Sequence, residues 1–140
     1  MLDRTLRTWI IAAAGLVLLG RAAPAAAGPA NRIGAVAVDS EQATTTIRLR
    51  GTDTPTFTVY KLERPSRVVV DVAGATLAEA VRGDEPAVTY TVGAWAVSQV
   101  AAMALEDGSA SVRVVATLAR PGRYDVKAVG KDVVITIAAR

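Results

Sequence analysis

From residue 33 onward, β-branched residues recur at every second position, interrupted at short intervals by glycine, proline or Asp-Gly. A period of two puts alternate side chains on opposite faces of an extended strand, whereas a helix would scatter them around its axis. Thr45, Ile47 and Leu49 therefore share one face, and Thr46, Arg48 and Arg50 the other. The run at 68–72 divides in the same way, with Val68, Val70 and Val72 opposite Val69 and Asp71. Residues 57–62 precede it across an Arg64-Pro65-Ser66 turn, which makes the two segments a hairpin. Further strands are expected at 33–39, 87–92, 97–105, 111–118, 124–129 and 133–137, with 51–55 as a loop. Asp107-Gly108 and Gly130-Lys131-Asp132 supply hairpin turns. Residues 73–81, where Leu77, Ala78, Ala80 and Val81 can line one side of a helical turn, read as a crossover loop. The pattern predicts an all-β chain, a small β-sandwich of about seven or eight strands in two packed sheets.

A weak internal repeat emerges when residues 45–72 are set beside 112–137. Pro55, Phe57-Thr58-Val59 and Val68-Val69-Val70 find counterparts in Pro121, Tyr124-Asp125-Val126 and Val133-Val134-Ile135. Two unrelated hairpins share the same grammar, so common hairpin syntax and a true duplication both account for it. A duplication would give the domain pseudo-symmetry, as two similar sheets packed face to face.

The first 27 residues read as an address and not as part of the fold. Arg4 and Arg7 precede an apolar run from Trp9 to Leu19, roughly half of the ~20 residues that a spanning helix needs. Small residues follow, and Ala25-Ala26-Ala27 fits the cleavage pattern of a secretory signal peptide, leaving residues 28–140 as one domain. An uncut membrane anchor is the alternative. Three of the 16 basic residues and one of the 13 acidic residues leave with this segment, so the net charge falls from +3 to +1. The remaining charges alternate in sign without a Lys or Arg block, which removes the electrostatic footprint of a nucleic-acid binder. With no cysteine, neither a disulfide nor a lipid-modified N-terminus is available, and one hydrophobic core must hold the fold.

The chain contains no histidine, so it lacks the usual general base at neutral pH as well as thiol chemistry and the commonest zinc ligands. No serine is followed three positions later by lysine, and there is no phosphate-binding glycine loop, nucleophile elbow or calcium loop. Asp84-Glu85 and Glu106-Asp107 fall at expected turns, where charge is ordinarily solvated. A non-catalytic domain with no cofactor and no metal is expected.

Residues 55–72, Pro-Thr-Phe-Thr-Val-Tyr-Lys-Leu-Glu-Arg-Pro-Ser-Arg-Val-Val-Val-Asp-Val, match every fixed position of the pattern F-x-V-x-x-L-x-x-P-x-R-V-V-V-D-V. This hairpin is similar to the signature of the AMIN domain, a periplasmic β-domain, and the resemblance extends through the flanking strands across residues 28–140. It implies a targeting module that associates with peptidoglycan, most like the version at the N-terminus of type IV pilus secretins, with pilus or secretion-system proteins as further partners. Secretins continue into a channel and amidases of this family into a zinc enzyme. Neither follows Arg140, so pore formation and amidase activity are not carried over, and the chain is either a stand-alone domain or part of a longer protein.

For the binding face, Arg48 and Arg50 form an outward stripe suited to carboxylates, and Tyr60, Lys61 or Arg67 extend it; a plain solvated strand face is the alternative. Asp71, among valines, is expected to accept backbone or arginine hydrogen bonds. Trp95 is expected in core or rim packing before a sugar-stacking role. Two functions compete: peptidoglycan localisation, and docking onto envelope machinery without touching the wall. The order of charged, apolar and small residues at the N-terminus makes one prediction. The mass of the exported species should correspond to a chain starting at or near Gly28, and an intact Met1 in the membrane fraction would refute export by cleavage.

Overall fold

The computed structural model describes residues 31–107 and 109–139; the expected leader lies outside them. The elements in order are β1 (Asn31–Ile33), β2 (Ala35–Glu41), β3 (Thr44–Arg50), β4 (Phe57–Leu62), β5 (Arg67–Ala73), β6 (Ala75–Leu77), α1 (Glu79–Arg82), β7 (Ala87–Thr91), β8 (Val97–Asp107), β9 (Ser109–Leu118), β10 (Gly122–Val129) and β11 (Asp132–Ala139). One sheet runs β10-β11-β3-β2 and a second β4-β5-β9-β8-β7, both antiparallel throughout.

Period two does what it must. Thr45, Ile47 and Leu49 are buried on the inner face of β3, and Val133, Ile135 and Ile137 on that of β11. From the other sheet, Val68, Val70 and Val72 meet them, with Val112, Val114 and Ala116 of β9 and Val100 and Ala102 of β8 in the same cluster. Thr45 is the polar member of the inner face, and its hydroxyl lies 3.0 Å from that of Ser40. A buried hydroxyl without such a partner would cost on the order of 1–3 kcal/mol.

The repeat has a structural counterpart. In the first half, β2 and β3 enter the four-stranded sheet while the β4–β5 hairpin crosses to the five-stranded one. In the second half, β8 and β9 enter the five-stranded sheet while the β10–β11 hairpin crosses back. The central pair of each sheet therefore joins the two halves: β3 with β11 (Ile47 opposite Ile135) and β5 with β9 (Val70 opposite Val114). The two sheets are similar, as a duplication requires, but each is built from both halves, so neither half can cover its own apolar face.

Two expectations need correction. The strands number 11 among the described residues, not about seven or eight, and the stretch at 73–81 is not simply a loop. It holds β6 and the single turn α1, and β6 pairs in parallel with β1 as a third, two-stranded sheet. Ile33, Ala75 and Leu77 from this small sheet close one end of the core. Three-residue strands carry no readable period, and these exist because their side chains complete a core built by others. Asn31 secures them, its carboxamide oxygen accepting from the backbone N–H of Thr52 at 2.9 Å and of Asp53 at 3.2 Å. At the β10–β11 turn the chain reverses through Gly130 at φ 63°, a left-handed conformation that a side chain would oppose.

Val70 is fully buried between Val59 and Val114 in the middle of the central pairing. Val70→Asp should cost about 3 kcal/mol or more by placing a carboxylate there. Thermal unfolding followed by circular dichroism measures it, and an unchanged midpoint would show that the faces of β5 are assigned the wrong way round.

Candidate binding surface

The outward sides of the two sheets are the broad polar surfaces of the domain, and they present different chemistry. On the five-stranded sheet, the outward residues of β5 are Arg67, Val69 and Asp71. Cross-strand register sets Tyr60 and Val115 beside Val69, and Arg113 beside Asp71. Val69 is 1% exposed although it points away from the core, because its neighbours on both strands cover it. Together with Ala101, opposite Val115, it forms an apolar floor across the face. Next to that floor Arg113 grips Asp71 with two hydrogen bonds, Nε to Oδ1 at 2.8 Å and Nη2 to Oδ2 at 3.2 Å, and the Tyr60 hydroxyl lies 3.4 Å from Oδ2. The two-pronged geometry holds the guanidinium flat against the sheet. The expectation that Asp71 accepts from an arginine is met.

Arg67 differs. Its Nε donates to the Pro65 carbonyl at 3.0 Å, and among the described residues no carboxylate pairs with it. Lys61 projects from the opposite side of β4, at the sheet edge, where its ammonium lies 3.4 Å from Glu63.

On the four-stranded sheet, Thr46, Arg48 and Arg50 point outward as expected. Arg48 spends its charge on Asp132 across the β3–β11 pair, with Nη1 to Oδ2 at 2.7 Å. Arg50 is exposed with no ion pair to a described residue, and Lys127 lies across Val134 from Arg48. Val134 is the counterpart of Val69: buried, outward-facing and central. The expected continuous stripe is thus corrected. Arg48 and Arg50 lie on one outer face and Tyr60 and Arg67 on the other, because the hairpin that carries the latter crosses to the second sheet. Sequence alternation assigned each residue to a side of its own strand, but could not say which strands share a sheet. Arg113 was missed for the same reason, since its role depends on the register that puts it opposite Asp71.

Away from these faces, a cavity of about 400 Å³ opens at the end of the sandwich closed by β6 and α1, lined by Leu77, Arg82, Pro86, Leu105 and Ser111 among others. Arg82 donates there to the carbonyls of Leu77 and Glu85. Tyr90, on the core side of β7, has its phenol pushed above the ordinary value by burial. Among the described residues no group of three or more acidic, His or Cys side chains converges as a metal site would require.

The partly buried Arg113–Asp71 pair should contribute about 1 kcal/mol to stability, within the range for partly solvated two-pronged pairs. A double-mutant cycle of Arg113→Ala and Asp71→Ala by denaturant unfolding checks it; a coupling near zero would mean that the pair only orients its members.

A search of curated proteins found no match. The profile of the AMIN domain matches residues 35–138, which runs from the start of β2 into the end of β11 and takes in both large sheets. AMIN domains are non-catalytic, peptidoglycan-binding modules, generally of the periplasm. The chain belongs to the AMIN domain family.

Proposed function

We propose that this domain localises its protein to peptidoglycan in the periplasm, and that the outer face of the five-stranded sheet makes the main contact. The observation that carries the proposal is the pairing pattern of that face. Arg113 is fixed by Asp71, while Arg67, two rows away beyond Val69 on the same strand as Asp71, offers a guanidinium without a carboxylate partner among the described residues. Peptide stems of the wall carry carboxylates, and a guanidinium receives them with two parallel hydrogen bonds. The apolar floor at Val69, Val115 and Ala101 takes aliphatic stem carbon, and Tyr60 supplies an amphipathic ring beside it. Export by the expected leader would deliver the domain to the wall, and the likeness of its hairpin to the pilus secretin version supports a place beside a type IV pilus or secretion machine. Arg50 on the opposite face is a second, weaker candidate contact.

Exposed charge-assisted contacts are worth about 1 kcal/mol each and are screened by salt. The Tyr60→Ala, Arg67→Ala double variant should therefore stay folded and bind isolated sacculi about tenfold more weakly, the difference narrowing as salt rises. Co-sedimentation with sacculi measures this, with Arg48→Ala, Arg50→Ala in parallel. A larger loss in the second variant would move the main contact to the four-stranded sheet. If the wild-type chain fails to sediment with sacculi, the domain instead docks onto envelope proteins, which co-purification with pilus or secretion components would identify.

A further inference from the structure

The five-stranded sheet ends on β7, and among the described residues no strand pairs with its far side. The Pro86 carbonyl accepts from the amide of Ala104 at 2.9 Å, and the amide of Val92 donates to the Ser98 carbonyl at 2.9 Å. These bonds lie at the two ends of a register that sets Val88 against Ala102 and Tyr90 against Val100. Bonded and non-bonded pairs alternate along an antiparallel ladder, so Pro86, Val88, Tyr90 and Val92 are the residues that bond to β8. The N–H and C=O groups of Ala87, Thr89 and Thr91 therefore point out of the sheet edge. Side chains divide in step. Ala87, Thr89 and Thr91 are exposed on the outer face, while Val88, Tyr90 and Val92 pack against the margin of the core.

Edge strands are ordinarily guarded against pairing by charged side chains. Of the other edges, β2 carries Asp39 and Glu41, β4 carries Lys61, and β10 carries Arg123, Asp125 and Lys127. β7 reads Ala-Val-Thr-Tyr-Thr and has no such guard. Its pattern is also self-complementary. With Thr89 on a two-fold axis, Thr89 faces Thr89, Ala87 faces Thr91 and Val88 faces Tyr90. All three outward-bonding residues then have partners, and each pair exchanges two bonds. Moving the axis to Val88 or Tyr90 leaves one of the three without a partner in the strand. Thr–Thr and aromatic–β-branched pairs are also combinations that stabilise neighbouring strands.

The two ends of the strand differ in charge. Asp84 and Glu85 are exposed just before it. Just after it, the 92–96 loop carries Trp95, 51% exposed, with the Arg120 guanidinium 3.4 Å from its ring centroid and Arg120 Nε bonded to the Trp95 carbonyl at 2.8 Å. The tryptophan is in rim packing under that guanidinium, and Arg120 has no carboxylate partner among the described residues. An antiparallel pair sets Glu85 of one copy opposite Gly93 of the other, so the acidic end of each strand lies beside the Arg120 end of its mate. The turn α1, which lies against β2 and β7, falls at the acidic end, so two copies of it are kept apart and the axis is left open. We infer that β7 is the edge through which two copies of this chain pair, antiparallel about a two-fold axis at Thr89, joining their five-stranded sheets into one. A contact built on one short strand buries less than the ~1,200 Å² of a standard stable interface, so the pair forms and dissolves with concentration. It is independent of the wall contact, because Tyr60 and Arg67 belong to β4 and β5 on the other side of the sheet.

The test uses the protein in the form in which the cell holds it. Sedimentation equilibrium should show the mass doubling as concentration rises, and Thr89→Lys, which sets two ammonium groups face to face at the axis, should weaken the pair by about tenfold or more. Thr89 is exposed and its amide does not bond to β8, so this variant should keep the thermal midpoint of the wild type. A second measurement fixes the register and does not depend on that variant. The chain has no cysteine, so Thr89→Cys supplies a single thiol at the axis, where paired Cα atoms stand ~5.5 Å apart, within disulfide reach. Mild oxidation should link Thr89→Cys to itself at least about tenfold faster than Ala87→Cys to itself, and a mixture of Ala87→Cys with Thr91→Cys should link as Thr89→Cys does. A monomer mass at every concentration up to millimolar would overturn the inference. So would a dimer that Thr89→Lys leaves intact and that links equally from all three positions, which would place the contact elsewhere. Slow hydrogen exchange at the Thr89 amide in the monomer would also overturn it, since the edge would then be covered by the chain itself.

Discussion

The central strand pairs, β3 with β11 and β5 with β9, are what the rest of the structure depends on. Each joins one half of the chain to the other, and the valines and isoleucines that they align face each other across the gap between sheets. A sheet assembled from a single half would have one apolar face and nothing to cover it. Exchange of hairpins makes burial of either face conditional on both halves, so the fold is cooperative over its whole length. That matters for a chain without cysteine, in which this core is the main source of stability.

The same exchange sets the surface chemistry. Once the inner faces are committed to the core, period two leaves every second residue of the central strands outward, and each outer face has a buried valine with a cross-strand Arg–Asp pair nearby. The pairs sit at different registers, directly opposite on β5–β9 and diagonal on β3–β11. As a result the two faces are related in plan and distinct in detail. Arg67 is left without an acidic partner among the described residues on one, and Arg50 on the other. Local pairing thus decides which guanidiniums are held and which are offered, a distinction that net charge does not contain.

Rigidity is distributed to match. The loop end that carries Trp95 is bound to its neighbours by main-chain hydrogen bonds and by Arg120, so an aromatic side chain that is half in water is nonetheless well positioned. The other end is closed by β1, β6 and α1, whose apolar side chains plug the core and whose acidic neighbours face solvent. The exposed, braced tryptophan and the closure of the core lie at opposite ends of one sheet.

The sequence by itself determined the secondary structure class, the two sides of each long strand, the 57–72 hairpin and its family signature, because these depend on local spacing and on residues that are neighbours along the chain. The inward set of β3, Thr45, Ile47 and Leu49, and that of β5, Val68, Val70 and Val72, could be read without any knowledge of partners. Only the tertiary structure decided that Arg48 and Arg67 lie on opposite faces, that Arg113 meets Asp71, and that Ala75–Leu77 is a strand. Each of these depends on which distant segments are hydrogen-bonded together. Trp95 is the sharpest case: an isolated aromatic in a β-rich chain reads as core or rim packing, and its place at the rim follows from a loop geometry fixed by contacts with residues 97, 98, 119 and 120. Alternation fixes which way a side chain points from its own strand, and strand pairing alone fixes what it points at.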